Sequence, residues 1–177
     1  MTTIIIIVIA VLLIAGVVSS IRGRKLSPPG ASHQTNGDLA VEIRYSRPSV
    51  RGRLIFGTTE EKAVVKYGKY WRLGANRPTT IKFSQDATLS GHSIPAGQYH
   101  LYAIPGKSEF VIGLNRKIRS WGFSPAKPET DLCRITVPVT MPAEPVEQFT
   151  IALLPNEGMT LRIMWSNVQL DLPVKKV

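Results

Sequence analysis

Four arginines fall within ten residues: Arg44, Arg47, Arg51 and Arg53. A guanidinium donates two parallel hydrogen bonds, so a row of them suits a phosphate or a carboxylate. On an extended strand Arg47, Arg51 and Arg53 share a face by parity, although Pro48 interrupts such a strand. Joined by Arg72, they could build an anion site. The competing reading pairs them with Glu42, Glu60, Glu61 or Asp131, or leaves them in water. It carries more weight, because surface charge clusters are usually solvated faces. A second constellation is Trp71-Arg72-Leu73-Gly74-Ala75-Asn76, which combines an aromatic ring, a guanidinium and a glycine able to take positive φ. With Trp121 it could line a pocket for a sugar ring or another planar ligand. Alternatively Trp71 plugs the core and Gly74-Ala75-Asn76 is only a turn.

Other chemistries find less support. The histidines are His33, His92 and His100. His92 and His100 flank a turn and could meet across a hairpin, but no second cluster of metal-type ligands accompanies them, so no metal is expected. His100 is expected to point outward, opposite a Tyr99/Leu101/Ala103 face. The single cysteine, Cys133, excludes an internal disulfide framework and reads as a small buried hydrophobe. Ser49 and Ser84 lack the context of a nucleophile elbow, and no Walker or dinucleotide-binding fingerprint is present. No catalytic set and no cofactor are therefore expected. The net charge of +10 invites a nucleic-acid reading, yet the basic residues are dispersed, aromatics are 7 % and no recognition motif is visible. Nucleic acid is not expected as a partner.

These residues must be positioned by β-structure. Beyond residue 38 no window of 11 residues has helical spacing, whereas short alternating runs separated by turn residues recur. Expected strands are Leu39–Ser46, Thr79–Ser84, Gln98–Ile104, Glu109–Leu114, Asp131–Val139, Glu147–Leu154, Met159–Trp165 and Val168–Val174. Ser93–Gly97 and Pro105-Gly106-Lys107 read as turns, and Pro155-Asn156-Glu157-Gly158 as a hairpin loop. Eight or nine strands in this spacing predict an all-β domain, an antiparallel sandwich or jelly roll. A content of 44 % hydrophobic residues is enough for its core.

The N-terminus is different. Ile4 to Val18 is apolar or glycine throughout, and residues 3–21 would make a helix of about 28 Å, close to a hydrocarbon core of roughly 30 Å. A cleaved signal peptide is the alternative, with Val17-Val18-Ser19 as a cleavage site, but Met1-Thr2-Thr3 offers no positive n-region. A retained single-pass transmembrane helix is expected. Arg22, Arg24 and Lys25 follow it as a basic collar for anionic head groups. The positive-inside rule places the domain beyond them in the cytoplasm of an inner-membrane protein. Residues 22–37 read as collar and flexible linker, and 38–177 as the sandwich.

YSRPSVRGRLIFG (Tyr45–Gly57), VKYGKYWRLGAN (Val65–Asn76), IPAGQYHLYAIP (Ile94–Pro105) and the late pair FTIAL and LRIMW follow one pattern in order. They resemble the DUF2911 family of bacterial proteins of unknown function, from about Tyr45 to Pro173. The resemblance implies a β-sandwich-like domain in an extracytoplasmic setting, opposite to the charge-based topology. Family members commonly carry an acidic residue after GAN, where this chain has Arg77-Pro78. A lost ancestral activity and reuse as a structural part would fit that change.

Two functions are expected. The first is a non-catalytic, single-pass accessory subunit that docks on other subunits of a membrane complex, for example a respiratory or photosynthetic one, or on anionic lipid. The second is an envelope domain that binds a small anionic or sugar-like ligand through Arg47, Arg51, Arg53, Trp71, Arg72 and Asn76, with Arg77 and Trp121 nearby in sequence.

Overall fold

The structure is a computed structural model that describes residues 5–7, 9, 11–12, 16, 26–118, 125–156 and 158–177. Residues 5–7, 9, 11–12 and 16 are helical, and among the described residues no helix is long and apolar enough to cross a membrane. Most of the expected span 3–21, and all of Arg22, Arg24 and Lys25, lie outside the described residues. So does Trp121.

The body is all β, with strands β1 (Pro29–Asn36), β2 (Leu39–Ser46), β3 (Phe56–Gly57), β4 (Val65–Lys66), β5 (Thr79–Phe83), β6 (Ala87–Leu89), β7 (His92–Ile94), β8 (Gly97–Pro105), β9 (Glu109–Asn115), β10 (Asp131–Pro138), β11 (Val146–Asn156), β12 (Gly158–Ser166) and β13 (Val168–Lys176). One sheet has the order β1-β2-β5-β8-β9-β10 and the other β11-β12-β13-β6-β7, with every pairing in both antiparallel. The expected sandwich is present. Its core is what period-2 alternation dictates. Val41 and Ile43, Ile81 and Phe83, Leu101 and Ala103, and Ile112 and Leu114 face Phe149 and Ile151, Leu161 and Ile163, and Leu170 and Leu172, all buried.

The flexible-linker expectation is corrected for residues 29–36. Pro29–Asn36 pairs with β2 along its whole length, from Pro29↔Ser46 to Asn36↔Leu39. Gly37 at φ 59° lets a two-residue loop close that hairpin. β1 is an edge strand with one face exposed and the other only half-buried, the latter carrying Gly30, Ser32 and Gln34, so it has no apolar alternation to betray it. It nevertheless closes one side of the sandwich, where Ser32 Oγ accepts the Leu153 N–H of β11 at 2.9 Å.

At one end of the sandwich lies a knot of aromatic rings. Trp71 stacks on Trp165 with ring centres 5.8 Å apart and planes at 19°. Phe56 and Phe149 meet both rings edge-on. The short parallel pair β3/β4 sits over this end. Trp71 is thereby a core residue, and its backbone exchanges two 2.8 Å hydrogen bonds with Ala103.

Candidate functional site

The segment Arg47–Arg53 is not one strand, which corrects the parity argument. Pro48 has no N–H to donate to a ladder, and the chain turns at once: Val50 N–H bonds Glu147 O, and Arg53 N–H bonds back to Val50 O. Arg51 (φ 51°) and Gly52 (φ 67°) both take left-handed conformations in that turn. Arg47 is thereby parted from the other two, its stem lying against Gly30, where a Cβ would come within 2.6 Å of Arg47 Cδ. Arg53 folds onto the turn, its Nε donating to Val50 O at 3.0 Å. Of the acidic partners expected for the row, Glu42 does take a member of it, Arg44, at 2.5 Å, whereas Asp131 takes Arg134 at 2.7 Å.

Leu73 to Asn76 is a second left-handed turn, with φ of 51° at Leu73, 135° at Gly74 and 60° at Asn76. Gly74 is required there, because a Cβ would stand 2.7 Å from Ser46 O. Trp71 Nε1–H donates to Gly74 O at 3.3 Å, and Arg72 Nη1 donates to Asn76 O at 3.1 Å. The loop is thus tied to the rings beneath it and to the end of β2.

The two turns enclose one cleft of about 720 Å³. Ligand pockets run to roughly 300–1,000 Å³. Arg51 and Arg53 come from the first turn, Arg72, Gly74, Ala75 and Asn76 from the second, and Trp71 and Trp165 from below. Five of the expected site residues, Arg51, Arg53, Trp71, Arg72 and Asn76, therefore converge. Arg47 and Arg77 do not line the cleft, and Trp121 lies outside the described residues.

Sequence reasoning missed Lys66, Lys69, Tyr70 and Trp165, which line the same cleft. The signal for Trp165 was present, since it is the last inward position of the alternating LRIMW run. The lysines gave none, because β4 is a two-residue strand without alternation. Arg51, Arg53, Lys66, Lys69 and Arg72 make five cationic side chains, and among the described residues no carboxylate lines the cleft. Glu147 stands beside it, its Oε1 accepting the Arg51 backbone N–H at 3.0 Å. Trp165 is 2 % exposed, and its buried Nε1–H has no hydrogen-bond partner.

Tyr70 links the cleft to a buried polar cluster on the outer face of the first sheet. Its hydroxyl lies 3.2 Å from His100 Nε2. Tyr102 O–H donates to Asp131 at 2.6 Å, and Asn115 Nδ2 donates to the other oxygen of that carboxylate at 2.8 Å. His100 does face away from Tyr99, Leu101 and Ala103, but the outward expectation is corrected. It is 1 % exposed, and burial pulls its pKa down to about 4 against a small opposing pull from Asp131. The same burial, with the bond to Asp131, pushes the Tyr102 hydroxyl up to about 12. Nor do His92 and His100 meet across a hairpin: His92 is exposed on β7 of the other sheet. Cys133 is half-buried, and burial raises its thiol pKa, which disfavours the nucleophilic thiolate. Among the described residues no group of three or more His, Cys, Asp or Glu could hold a metal ion.

What the arrangement can do is hold an anion against an aromatic floor. A family model described as "Protein of unknown function (DUF2911)" matches residues 27–174. No curated protein and no solved structure matches the chain.

Proposed function

The chain belongs to the DUF2911 family, a family without an assigned function, so the cleft must supply the reading, and we propose that this protein is a non-catalytic, membrane-tethered β-sandwich that binds a small anionic ligand. One observation carries it: Arg51, Arg53, Lys66, Lys69 and Arg72 converge on one cleft without a lining carboxylate among the described residues. Fields from clustered charges of one sign add in a cleft and concentrate the opposite ion. Three of these groups are guanidiniums; Arg53 spends Nε and Nη2 on the carbonyls of Val50 and Ser49, while the Arg51 fork can take two oxygens of one phosphate or carboxylate. Trp71 and Trp165 below them suit the apolar or planar part of the same ligand. The tether is the apolar segment 3–21, read from sequence.

The test is calorimetric titration of the full chain in mild detergent with inorganic phosphate, glycerol 3-phosphate, glucose 6-phosphate and glucose. The phosphorylated probes should bind saturably and glucose should not. Lys66→Ala combined with Lys69→Ala should weaken binding roughly tenfold or more, since a charge-assisted hydrogen bond contributes about 1.5–3 kcal/mol. Absence of saturable binding by every phosphorylated probe would overturn the reading.

A role as accessory subunit of a larger membrane assembly is supported by the apolar segment and by the 19 basic against 12 acidic residues beyond the collar. Extraction in a mild detergent, followed by mass spectrometry of co-purifying chains, tests it. Recovery as a lone monomer would remove it.

A further inference from the structure

We infer that the cleft end of the sandwich is a bilayer-docking face, and that the anion seated in the cleft is the phosphate of an anionic phospholipid headgroup. This rests on the cleft being an anion site and names the source of the anion.

Apolar side chains protrude among the cations at this end. Leu26 is 42 % exposed, Leu54 51 % and Val64 44 %. Leu26 and Val64 line the cleft beside Arg51, Arg53, Lys66 and Lys69, while Leu54 O accepts the Val64 N–H at 3.0 Å and so places Leu54 at Val64's side. A surface that presses into the headgroup layer needs both kinds: cations for the phosphates and aliphatics for the acyl boundary.

The path of the chain points the same way. Leu26 and Ser27 stand at the cleft, so the domain is joined at this end to the preceding sequence, which holds Arg22, Arg24 and Lys25 and then the apolar run. The β1/β2 ladder has its Pro29↔Ser46 pair at the cleft end and its Asn36↔Leu39 pair at the opposite one. Next to that far pair lies Asp38, its carboxylate bound by Lys176, while Glu147 beside the cleft is held by the Arg51 N–H.

The test uses the full chain in a Cys133→Ser background, with a spin label at Val64→Cys or, at the far end, at Lys175→Cys. Each is reconstituted in nanodiscs of phosphatidylcholine alone or mixed with phosphatidylglycerol. Power saturation should move the Val64 label from aqueous relaxation by nickel chelate to lipid-like relaxation by oxygen when phosphatidylglycerol is present. The Lys175 label should stay aqueous. Lys66→Glu with Lys69→Glu should cut the docked fraction at least about tenfold, from a gain of roughly fivefold per basic residue near an anionic surface. A Val64 label that stays aqueous in both bilayers overturns the inference. If such a chain still binds glycerol 3-phosphate, the anion site stands and only its lipid source falls. Failure of both measurements removes both readings. Docking without affinity for any free phosphate keeps the bilayer face and discards the free-anion ligand.

Discussion

The two stacked tryptophans of the cleft floor differ in what their ring N–H groups do. Trp71 donates to Gly74 O, while the Trp165 N–H has no partner. A buried donor left unpaired costs about 1–3 kcal/mol. Trp165→Phe removes that penalty while losing ring contact, so urea denaturation should find it nearly neutral. Trp71→Phe loses contact and a bond that anchors the 73–76 turn, and should cost about 2 kcal/mol or more. An equal loss at both positions would mean that the Trp165 N–H is satisfied after all. His100 gives a second residue-level prediction. Its folded pKa of about 4 lies below its unfolded value near 6.5, so between these pH values the unfolded chain binds the extra proton. Stability therefore falls as pH drops from about 6.5 to about 4, by on the order of 3 kcal/mol from this group, and levels off below. Denaturation midpoints for the parent and for His100→Gln, compared from pH 7 to 4, should show the variant losing much of this slope.

At the scale of elements, β8 and β9 carry a tight contact that the alternation rule does not foresee. Tyr102 lies opposite Gly113, and a Cβ on that glycine would stand 2.2 Å from the Tyr102 ring. The glycine is there to let the ring lie flat across the sheet and reach Asp131. Gly113→Ala should cost about 2–3 kcal/mol through overpacking, and the cost should shrink in a Tyr102→Ala background, as contacting residues couple. Strict additivity in that cycle would show that the ring moves aside freely. Ser32→Ala, which leaves the Leu153 N–H without its acceptor, should cost about 1 kcal/mol. That last contact marks what the sequence could convey. The two-sided strands β2, β5 and β8 to β13 were legible because one face is buried and alternates, so period 2 is written into their residues. The edge strand β1 was not, since it is held by the backbone ladder to β2, which PGASHQTN neither favours nor forbids. The cleft divided in the same way. Residues brought together by two turns, such as Arg51 with Arg72, were recognisable by side-chain chemistry. Lys66 and Lys69 were not, because only the tertiary placement of β4 puts them there.

For the whole molecule, the formal charge of +10 is spread unevenly in a way that matters for orientation. Three basic residues, Arg22, Arg24 and Lys25, follow the apolar segment at once, and five more line the cleft at which the domain begins. Positive-inside bias acts on charges within about 15–20 residues of a span, so the collar favours a cytoplasmic domain, against the extracytoplasmic setting that the family resemblance implies. The cleft adds a separate argument. The cytoplasmic leaflet carries the anionic surface potential that attracts basic segments close to the membrane, and a cationic cleft beside Leu26 is complementary to that leaflet. Protease added to inverted vesicles from cells expressing the full chain should therefore digest the sandwich, while right-side-out vesicles should protect it. Replacing Arg22, Arg24 and Lys25 by glutamate should shift a measurable part of the population to the opposite orientation. Those reversed molecules should show weaker docking of the cleft end, because the surface they face supplies less negative charge. Digestion only in right-side-out vesicles would show that the collar does not set the topology, and would require the cleft to find its anion on the outer surface.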